Sequence, residues 1–144
     1  MPIKHEVIYQ FSDKHIAELN ALYQMEWWTK GRTLEETKKC LNGSQVNIGI
    51  VDQQDSLLAY ARVLTDYTFK AIIFDVIVAK EARSTGLGDK LLHLIITHGS
   101  LKNVVSFELY CLPEMMPFYQ KHGFSDEVGG VKLMRTDPNG RLSS

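Results

Sequence analysis

The chain has 144 residues, a formal net charge of −1 and two cysteines. This length is typical of one domain with its own core, and the 44% hydrophobic and 23% charged shares are ordinary for a soluble globular protein. The near-neutral charge argues against a protein that wraps duplex nucleic acid, because such a protein needs a basic surface. A membrane helix needs about 20 apolar residues, so none is predicted.

The cysteine pattern gives no sign of a metal site. Cys40 and Cys111 are far apart in the chain and belong to no paired His/Cys spacing. The first ten residues are polar and do not resemble a signal peptide. We therefore expect free thiols, no bound metal and a cytoplasmic location.

Hydrophobic periodicity and capping residues predict ten elements and one domain over 1–144. In chain order they are a strand at 5–10, a helix capped by Ser12, a second helix starting at the capping box Thr33–Glu36, strands at 46–51, 57–64 and 69–78, a helix at 86–98, a strand at 104–111, a short helix at 114–122 and a strand near 131–135. Residues 136–144 are expected to be a loose tail. The order predicts a mixed α/β (α+β) layer around one sheet, with 69–78 a central strand buried on both faces.

The junction after that strand is the most informative segment. It reads R-x-x-G-x-G from Arg83 to Gly88 and opens a helix, whose first backbone N–H groups favour an anion. A Walker loop would need Gly-Lys-Ser/Thr here, and a dinucleotide fingerprint would need glycine where Leu91 stands. The motif alone is equally compatible with a glycine-rich helix start and a solvated arginine.

From this junction onward the sequence resembles the GCN5-related N-acetyltransferase superfamily. The resemblance includes the strand IIFDVIVAKEA, the loop RSTGLG, and the F-Y-x-x-x-G-F sequence that begins at Phe118. It covers roughly 8–135 and is specific in the C-terminal half. It implies the acyl-CoA N-acyltransferase fold: a central, mostly antiparallel sheet with a splayed strand pair and helices on both faces.

The resemblance also implies how acetyl-CoA is held as co-substrate. The pyrophosphate would lie on the phosphate loop, by which we mean Arg83, Ser84, Thr85, Gly86, Leu87 and Gly88. Pantetheine would pair with the strand edge at Ile77 and Val78. Leu112 stands where many members have an asparagine that contacts the cofactor, so that contact is expected to differ.

Two proton transfers accompany direct attack of an amine on the thioester. Tyr119 matches the family tyrosine that acts as general acid on the departing sulfur; otherwise it is a half-buried packing aromatic. Asp75 and Glu108 are candidate general bases, although a hydrogen-bonded structural role is favoured for each.

Glu26, Trp27 and Trp28 are predicted to line the acceptor site, where aromatic rings and a carboxylate attract a cation. Adjacent tryptophans on a helix point in different directions, so at least one is expected at the surface, and the pair is equally compatible with a hydrophobic lid over the sheet. Arg62, Asp66 and Tyr67 are expected to contribute to the same site.

We therefore expect an acetyl-CoA-dependent N-acetyltransferase that acts on a primary amine of a small molecule in a ternary complex. A CoA-binding regulatory or interaction module without acetyl transfer is the main alternative, and a generic nucleotide-binding domain is disfavoured by the missing Walker residues. No nucleic-acid or membrane partner is expected. A homodimer is expected only because it is the commonest assembly.

Overall fold

The computed structural model describes residues 4–137. The chain divides after Cys111 into two compact units. The expectation of one domain over 1–144 stays a prediction, and of the expected loose tail only 136 and 137 lie within the described residues. Within residues 4–137, no helix has the length and apolar content needed to cross a membrane.

The strands and helices follow the predicted order up to the last strand. They are β1 Glu6–Ile8, α1 Asp13–Gln24, α2 Leu34–Asn42, β2 Val46–Val51, β3 Leu57–Thr65, β4 Lys70–Val78, α3 Leu87–Ile96, β5 Ser106–Leu109 and α4 Met116–Gln120, with 3-10 turns at Lys80–Ala82, Gly99–Leu101 and Pro113–Met115. Both predicted helix starts are confirmed, since Ser12 caps α1 and a capping box joins Thr33 to Glu36 at the start of α2.

The predicted final strand near 131–135 is wrong. These residues form neither a strand nor a helix, and Val131, Leu133 and Met134 are exposed. The apolar residues there suggested a strand. A strand, however, also needs a partner for its backbone groups, and apolar composition does not supply one.

The five strands form one sheet in the order β1-β2-β3-β4-β5. Every neighbouring pair is antiparallel except β4 and β5, which are parallel. The pairing of β4 with β5 runs only from Lys70 to Ile73, while β4 continues to Val78. The predicted mixed fold, mostly antiparallel with a splayed strand pair, is confirmed.

A β-bulge lies in β4 where the splay begins. Arg62 of β3 is opposite Phe74, but Tyr60 is opposite Ile77, so Asp75 and Val76 together face the single residue Ala61. Asp75 has a φ of 56°, in the left-handed region that few residues other than glycine adopt. The extra residue bends β4 at the point where its pairing with β5 ends.

The main helices lie against the sheet. Leu19 and Tyr23 of α1 form a buried cluster with Tyr60 and Ile77, and burial of each such apolar side chain contributes about 1.5–3 kcal/mol. Helix α3 packs against β2, β3 and β4.

The expectation that the 69–78 strand is buried on both faces is wrong. Along β4 buried residues alternate with half-buried ones, and Ile72, Phe74, Val76 and Val78 are half-buried. The β-branched composition was typical of a fully buried strand, but alternate residues of β4 keep partial access to solvent.

Candidate functional site

The phosphate loop connects the end of β4 to the start of α3. Ser84 and Gly86 have φ values of 65° and 84°, so the chain turns sharply twice before the helix. Gly86 occupies the N-cap of α3 and, lacking a side chain, contributes none to the cap. Residues 83–86 are exposed, whereas Leu87 is buried and anchors the helix start. This arrangement leaves the first-turn N–H groups of α3 accessible to an anion.

Arg83 contacts the predicted acceptor wall. Its Nη2 donates to Glu26 Oε1 across 57 positions of sequence, and its Nε donates to the Val78 carbonyl at 3.3 Å. Arg83 was predicted to bind pyrophosphate and Glu26 to attract an amine. The structure pairs the two, so each neutralises the charge the other would offer.

The segment between α1 and α2 presents aromatic surface. Trp27 is 74% exposed and Trp28 is 41% exposed, which confirms the expectation that at least one tryptophan lies at the surface. Thr29 is buried and its hydroxyl donates to the Tyr23 carbonyl at 2.7 Å, so the segment is held to the end of α1.

The splay leaves a strand edge beside the phosphate loop. On the β3 side, Tyr60 pairs with Ile77 and Ala59 pairs with Val78. On the other side, no strand among residues 4–137 pairs with Phe74–Val78. An open backbone edge therefore runs directly into the turn that begins the phosphate loop.

Asp75 accepts four hydrogen bonds from three side chains. Its Oδ2 accepts from Arg32 Nη1 at 2.7 Å, Arg62 Nε at 2.7 Å and the Tyr23 hydroxyl at 2.9 Å, and its Oδ1 accepts from Arg32 Nη2 at 3.2 Å. The carboxylate is only 4% exposed. We call Asp75, Arg32, Arg62 and Tyr23 the arginine–aspartate cluster.

The electrostatics of this cluster favour an ionised Asp75. Burial alone would raise its pKa, but the hydrogen bonds and charges of Arg32 and Arg62 outweigh burial and hold the pKa below its usual range. Burial, with the neighbouring Tyr60 and Asp75, raises the pKa of Tyr23, so its hydroxyl stays protonated. A carboxylate with four donors and a lowered pKa is poorly suited to accept a proton, which supports the structural alternative for Asp75.

The sequence did not predict that these side chains bind Asp75. Arg62 and the segment from Tyr23 to Arg32, which contains Glu26, Trp27 and Trp28, were expected at the acceptor site, but Arg32 and Tyr23 lie 43 and 52 positions from Asp75. The one available signal was the position of Asp75 inside an apolar strand. A carboxylate buried there needs a partner, but the sequence does not say which residue supplies it.

Glu108, the other candidate base, lies at the surface of β5. It forms an ion pair with Lys70, and its side chain is 44% exposed. The hydrogen bond from Lys70, assisted by that of Ser106, holds the pKa of Glu108 below its usual range despite slight burial. Asp66, also expected in the acceptor site, instead accepts from the backbone N–H groups of Thr68, Phe69 and Lys70 in the β3–β4 turn.

Tyr119 lies in α4, in the second compact unit. Its ring meets those of Phe118 and Phe124 edge to face, with centroids 5.0 and 6.1 Å apart. Gly123 has a φ of 90°, and the Phe124 N–H donates to the Tyr119 carbonyl at 3.3 Å. The F-Y-x-x-x-G-F sequence therefore folds as a helix end closed by a left-handed glycine.

Comparison with known proteins identifies the family. The model of the acetyltransferase (GNAT) family matches residues 11–124, which include the phosphate loop and Tyr119. An uncharacterized N-acetyltransferase, ycf52, of the red alga Pyropia yezoensis is 31% identical over 137 residues, covering 92% of this chain and 78% of its own. The chain belongs to the GNAT family. Its members are acetyltransferases, and this chain is one of them.

Solved structures of GNAT proteins share the fold. A GNAT-family acetyltransferase candidate from Xanthomonas campestris is 26% identical, with a TM-score of 0.82 over 100% of this chain and 99% of its own. Glucosamine-6-phosphate N-acetyltransferase from Arabidopsis thaliana is 19% identical, with a TM-score of 0.69 over 92% and 97% of the two chains, and supports the fold alone.

Most predicted GNAT site residues come together in the first unit. Ile77 and Val78 are joined to the phosphate loop by Ala79 and the 3-10 turn Lys80–Ala82, and Glu26 reaches Arg83. Asp75 lies at the bulge, and Glu108 lies on β5. Residues 4–137 contain no group of three His, Cys, Asp or Glu side chains placed to hold a metal ion.

Proposed function

We propose that this GNAT protein transfers the acetyl group of acetyl-CoA to a primary amine of a small molecule by direct attack in a ternary complex. One observation carries the proposal: the edge of β4 that no strand pairs with is followed, after the 3-10 turn Lys80–Ala82, by the exposed N-terminus of α3. A strand edge that can pair with an extended amide chain, followed by a site for phosphates, matches the order of groups in CoA.

The residues present fit acetyl-CoA. Ile77 and Val78 would offer backbone groups to the pantetheine arm, and the phosphate loop would offer N–H groups and the Arg83 guanidinium to the pyrophosphate. When bound, acetyl-CoA supplies an activated thioester. A backbone N–H of β4 near the bulge would stabilise the negative charge that develops on the thioester oxygen.

The transfer requires one base and one acid. The neutral amine attacks the carbonyl carbon, the C–N bond forms, the C–S bond breaks, and the sulfur leaves with the electron pair and takes a proton. We assign the acid role to Tyr119 because it occupies the tyrosine position of the family motif. A water relay, or Glu108 after release from Lys70, would accept the proton from the amine, since Asp75 accepts four hydrogen bonds.

The choice of a small amine rests on the aromatic rings of Trp27 and Trp28, whose faces suit a compact cation, since the charge of Glu26 is neutralised by Arg83. A relative in Glycine max, 26% identical over 137 residues, is named a histone acetyltransferase, so a protein lysine is the competing acceptor. We also propose a reducing compartment such as the cytoplasm, because Cys40 and Cys111 are both free thiols.

A free-thiol release assay tests the proposal. Purified protein and acetyl-CoA are combined with polyamines, amino sugars, amino acids, aryl amines and lysine peptides, and CoA binding is measured separately by thermal shift. We expect CoA to raise the melting temperature and at least one small amine to release thiol. Binding without release from any amine would favour a CoA-binding module, and release from peptides alone would favour a protein acceptor.

A further inference from the structure

The arginine–aspartate cluster holds more positive than negative charge. Two guanidinium groups, those of Arg32 and Arg62, share the single carboxylate of Asp75, while Tyr23 is neutral. The arrangement differs from the other strong ion pairs of the first unit, Lys70 with Glu108 and Arg83 with Glu26, which are one-to-one. One positive charge of the cluster is therefore left for another anion.

This charge cannot be removed by proton loss. Burial would lower the pKa of both arginines, but the hydrogen bonds and charge of Asp75 raise them further above their already high values. The side chains of Arg32 and Arg62 are 26% and 13% exposed, so they are partly dehydrated yet reachable. A charge with little surrounding water attracts an anion more strongly than one in bulk solvent.

Both guanidinium groups are fixed before any ligand arrives. The Arg32 carbonyl accepts from Asn20 Nδ2 at 2.9 Å and Gln24 Nε2 at 2.8 Å, and its guanidinium lies 4.5 Å from the Tyr23 ring centroid. Arg62 lies 5.0 Å from the Phe74 ring centroid. Side chains that are already ordered lose little entropy when they bind a ligand.

Hydrogen-bonding capacity remains on both groups. Each guanidinium has five N–H donors. Within the described part of the chain, Arg32 directs two of them at Asp75, and Arg62 directs one at Asp75 and one at Ser44 Oγ, at 3.4 Å. Carboxylate and phosphate oxygens are the acceptors that match these planar donors best.

The cluster lies beside the strand edge assigned to the cofactor. Asp75 is two residues before Ile77, and Arg62 shares a face of the sheet with Phe74, its partner across the strands. The Phe74 ring meets that of Tyr110 at 5.7 Å, and Tyr110 is 51% exposed, so an accessible aromatic surface adjoins the arginines. A molecule held there has its remaining groups close to β4 at the bulge.

We propose that the acceptor carries an anionic group, a carboxylate or a phosphate, close to its amine, and that Arg32 and Arg62 bind this group. The inference rests on the acetyl transfer proposed above and narrows its substrate class. Neither arginine needs to leave Asp75, because the incoming oxygens use the remaining donors.

Matched amines test the inference on the unaltered protein. Thiol release is measured with glycine against glycinamide and β-alanine against propylamine for the carboxylate, and with phosphoethanolamine against ethanolamine for the phosphate. We expect kcat/KM to be roughly tenfold higher for the anionic member of at least one pair, since a hydrogen bond to a charged group contributes about one factor of ten or more. The advantage should shrink as salt is added.

Variants of Arg32 test whether this residue causes the difference in kcat/KM between anionic and neutral amines. Arg32→Gln should lower kcat/KM for the anionic amine more than for its neutral partner, so that the ratio of the two falls toward one, and Arg32→Lys, which keeps the charge but not the fork, should retain part of the ratio. Lys30→Gln is the control, because it removes a positive charge from the same segment without touching Asp75. An equal or better rate with every neutral member would overturn the anion site and leave acetyl transfer standing. No thiol release from any amine would overturn both.

Discussion

The cofactor side and the acceptor side of the proposed active site use different kinds of binding group. The cofactor side is a strand edge and a helix start, so its binding groups are backbone atoms, and its one charged pair, Arg83 with Glu26, is exposed. The acceptor side is the arginine–aspartate cluster, made of side chains from α1, the segment after it, β3 and β4, and it is half-buried. Changes on the acceptor side should therefore affect folding, whereas changes on the cofactor side should affect binding alone.

Asp75→Asn should give the largest effect and it should appear in stability. Asparagine tolerates the left-handed backbone, but it leaves two buried guanidinium groups without a counter-charge, at a cost of about 3 kcal/mol. Urea unfolding at neutral pH measures this change. Glu35→Gln, an exposed carboxylate, is the control and should change stability by less than about 0.5 kcal/mol. A loss for Asp75→Asn no larger than that of the control would mean that the cluster does not hold the fold.

The same cluster predicts how stability depends on pH. The folded-state pKa of Asp75 lies below its unfolded value, so its contribution is fully present above the unfolded pKa and is lost as pH falls through the folded one. We expect the unaltered protein to lose stability in acid more steeply than Asp75→Asn does. Parallel unfolding curves of the two proteins across the acid range would contradict this.

Tyr119→Phe should affect turnover without affecting the fold. Removing a general acid lowers kcat by about a hundredfold, and the phenyl ring keeps the contacts with Phe118 and Phe124. Steady-state thiol release gives kcat, and calorimetric titration gives the Kd of CoA, which should stay unchanged. The control is Tyr9→Phe, an exposed tyrosine of the first unit. Equal kcat in Tyr119→Phe and the unaltered protein would remove Tyr119 from the chemistry.

Gly86→Glu should weaken CoA binding by roughly tenfold or more, because it strains a residue with a φ of 84° and puts a carboxylate where phosphate would lie. Gly99→Glu, which adds the same charge beyond the other end of α3, should bind CoA normally. Stability should fall much less than in Asp75→Asn. The phosphate-loop assignment would be wrong if Gly86→Glu bound CoA as tightly as Gly99→Glu does.

The smallest effect is expected from Glu26→Gln. This change releases Arg83 from its exposed partner, so CoA affinity should rise by about two- to threefold at low salt and by less at high salt. Titration of CoA at two ionic strengths measures the change. In an Arg83→Gln background, Glu26→Gln should have no effect. Unchanged or weaker CoA binding by Glu26→Gln alone would show that the pair does not compete with phosphate.

The sequence was most informative where local chemistry decides the structure. The capping box of Thr33 and Glu36 depends on residues three apart, and the phosphate loop depends on glycine at Gly86. Both are confirmed as structural elements. The order of the strands along the chain, up to β5, was predicted for the same reason, since each strand has its own hydrophobic pattern and its own turn.

Long-range partners could not be predicted. The apolar run of β4 predicted a buried strand, but the residues that would cover each face lie elsewhere in the chain, and alternate residues of β4 are only half-buried. The partners of Asp75 depend on where the bulge brings Arg32 and Arg62, and the partner of Arg83 depends on where α1 ends. The segment at 131–135 has three apolar residues, yet no neighbouring strand pairs with it among the described residues.

The bulge at Asp75 changes which face of the sheet each later residue of β4 occupies. Ile73 is opposite Val63, and Ile77 is opposite Tyr60, and these two residues of β3 point to opposite faces. Regular alternation along β4 would place Ile73 and Ile77 on the same face of the sheet, whereas the bulge places them on opposite faces. Buried and half-buried residues alternate without a break across this switch. A one-residue deletion there would remove the bulge and restore regular alternation, with Ile77 still opposite Tyr60 and on the same face.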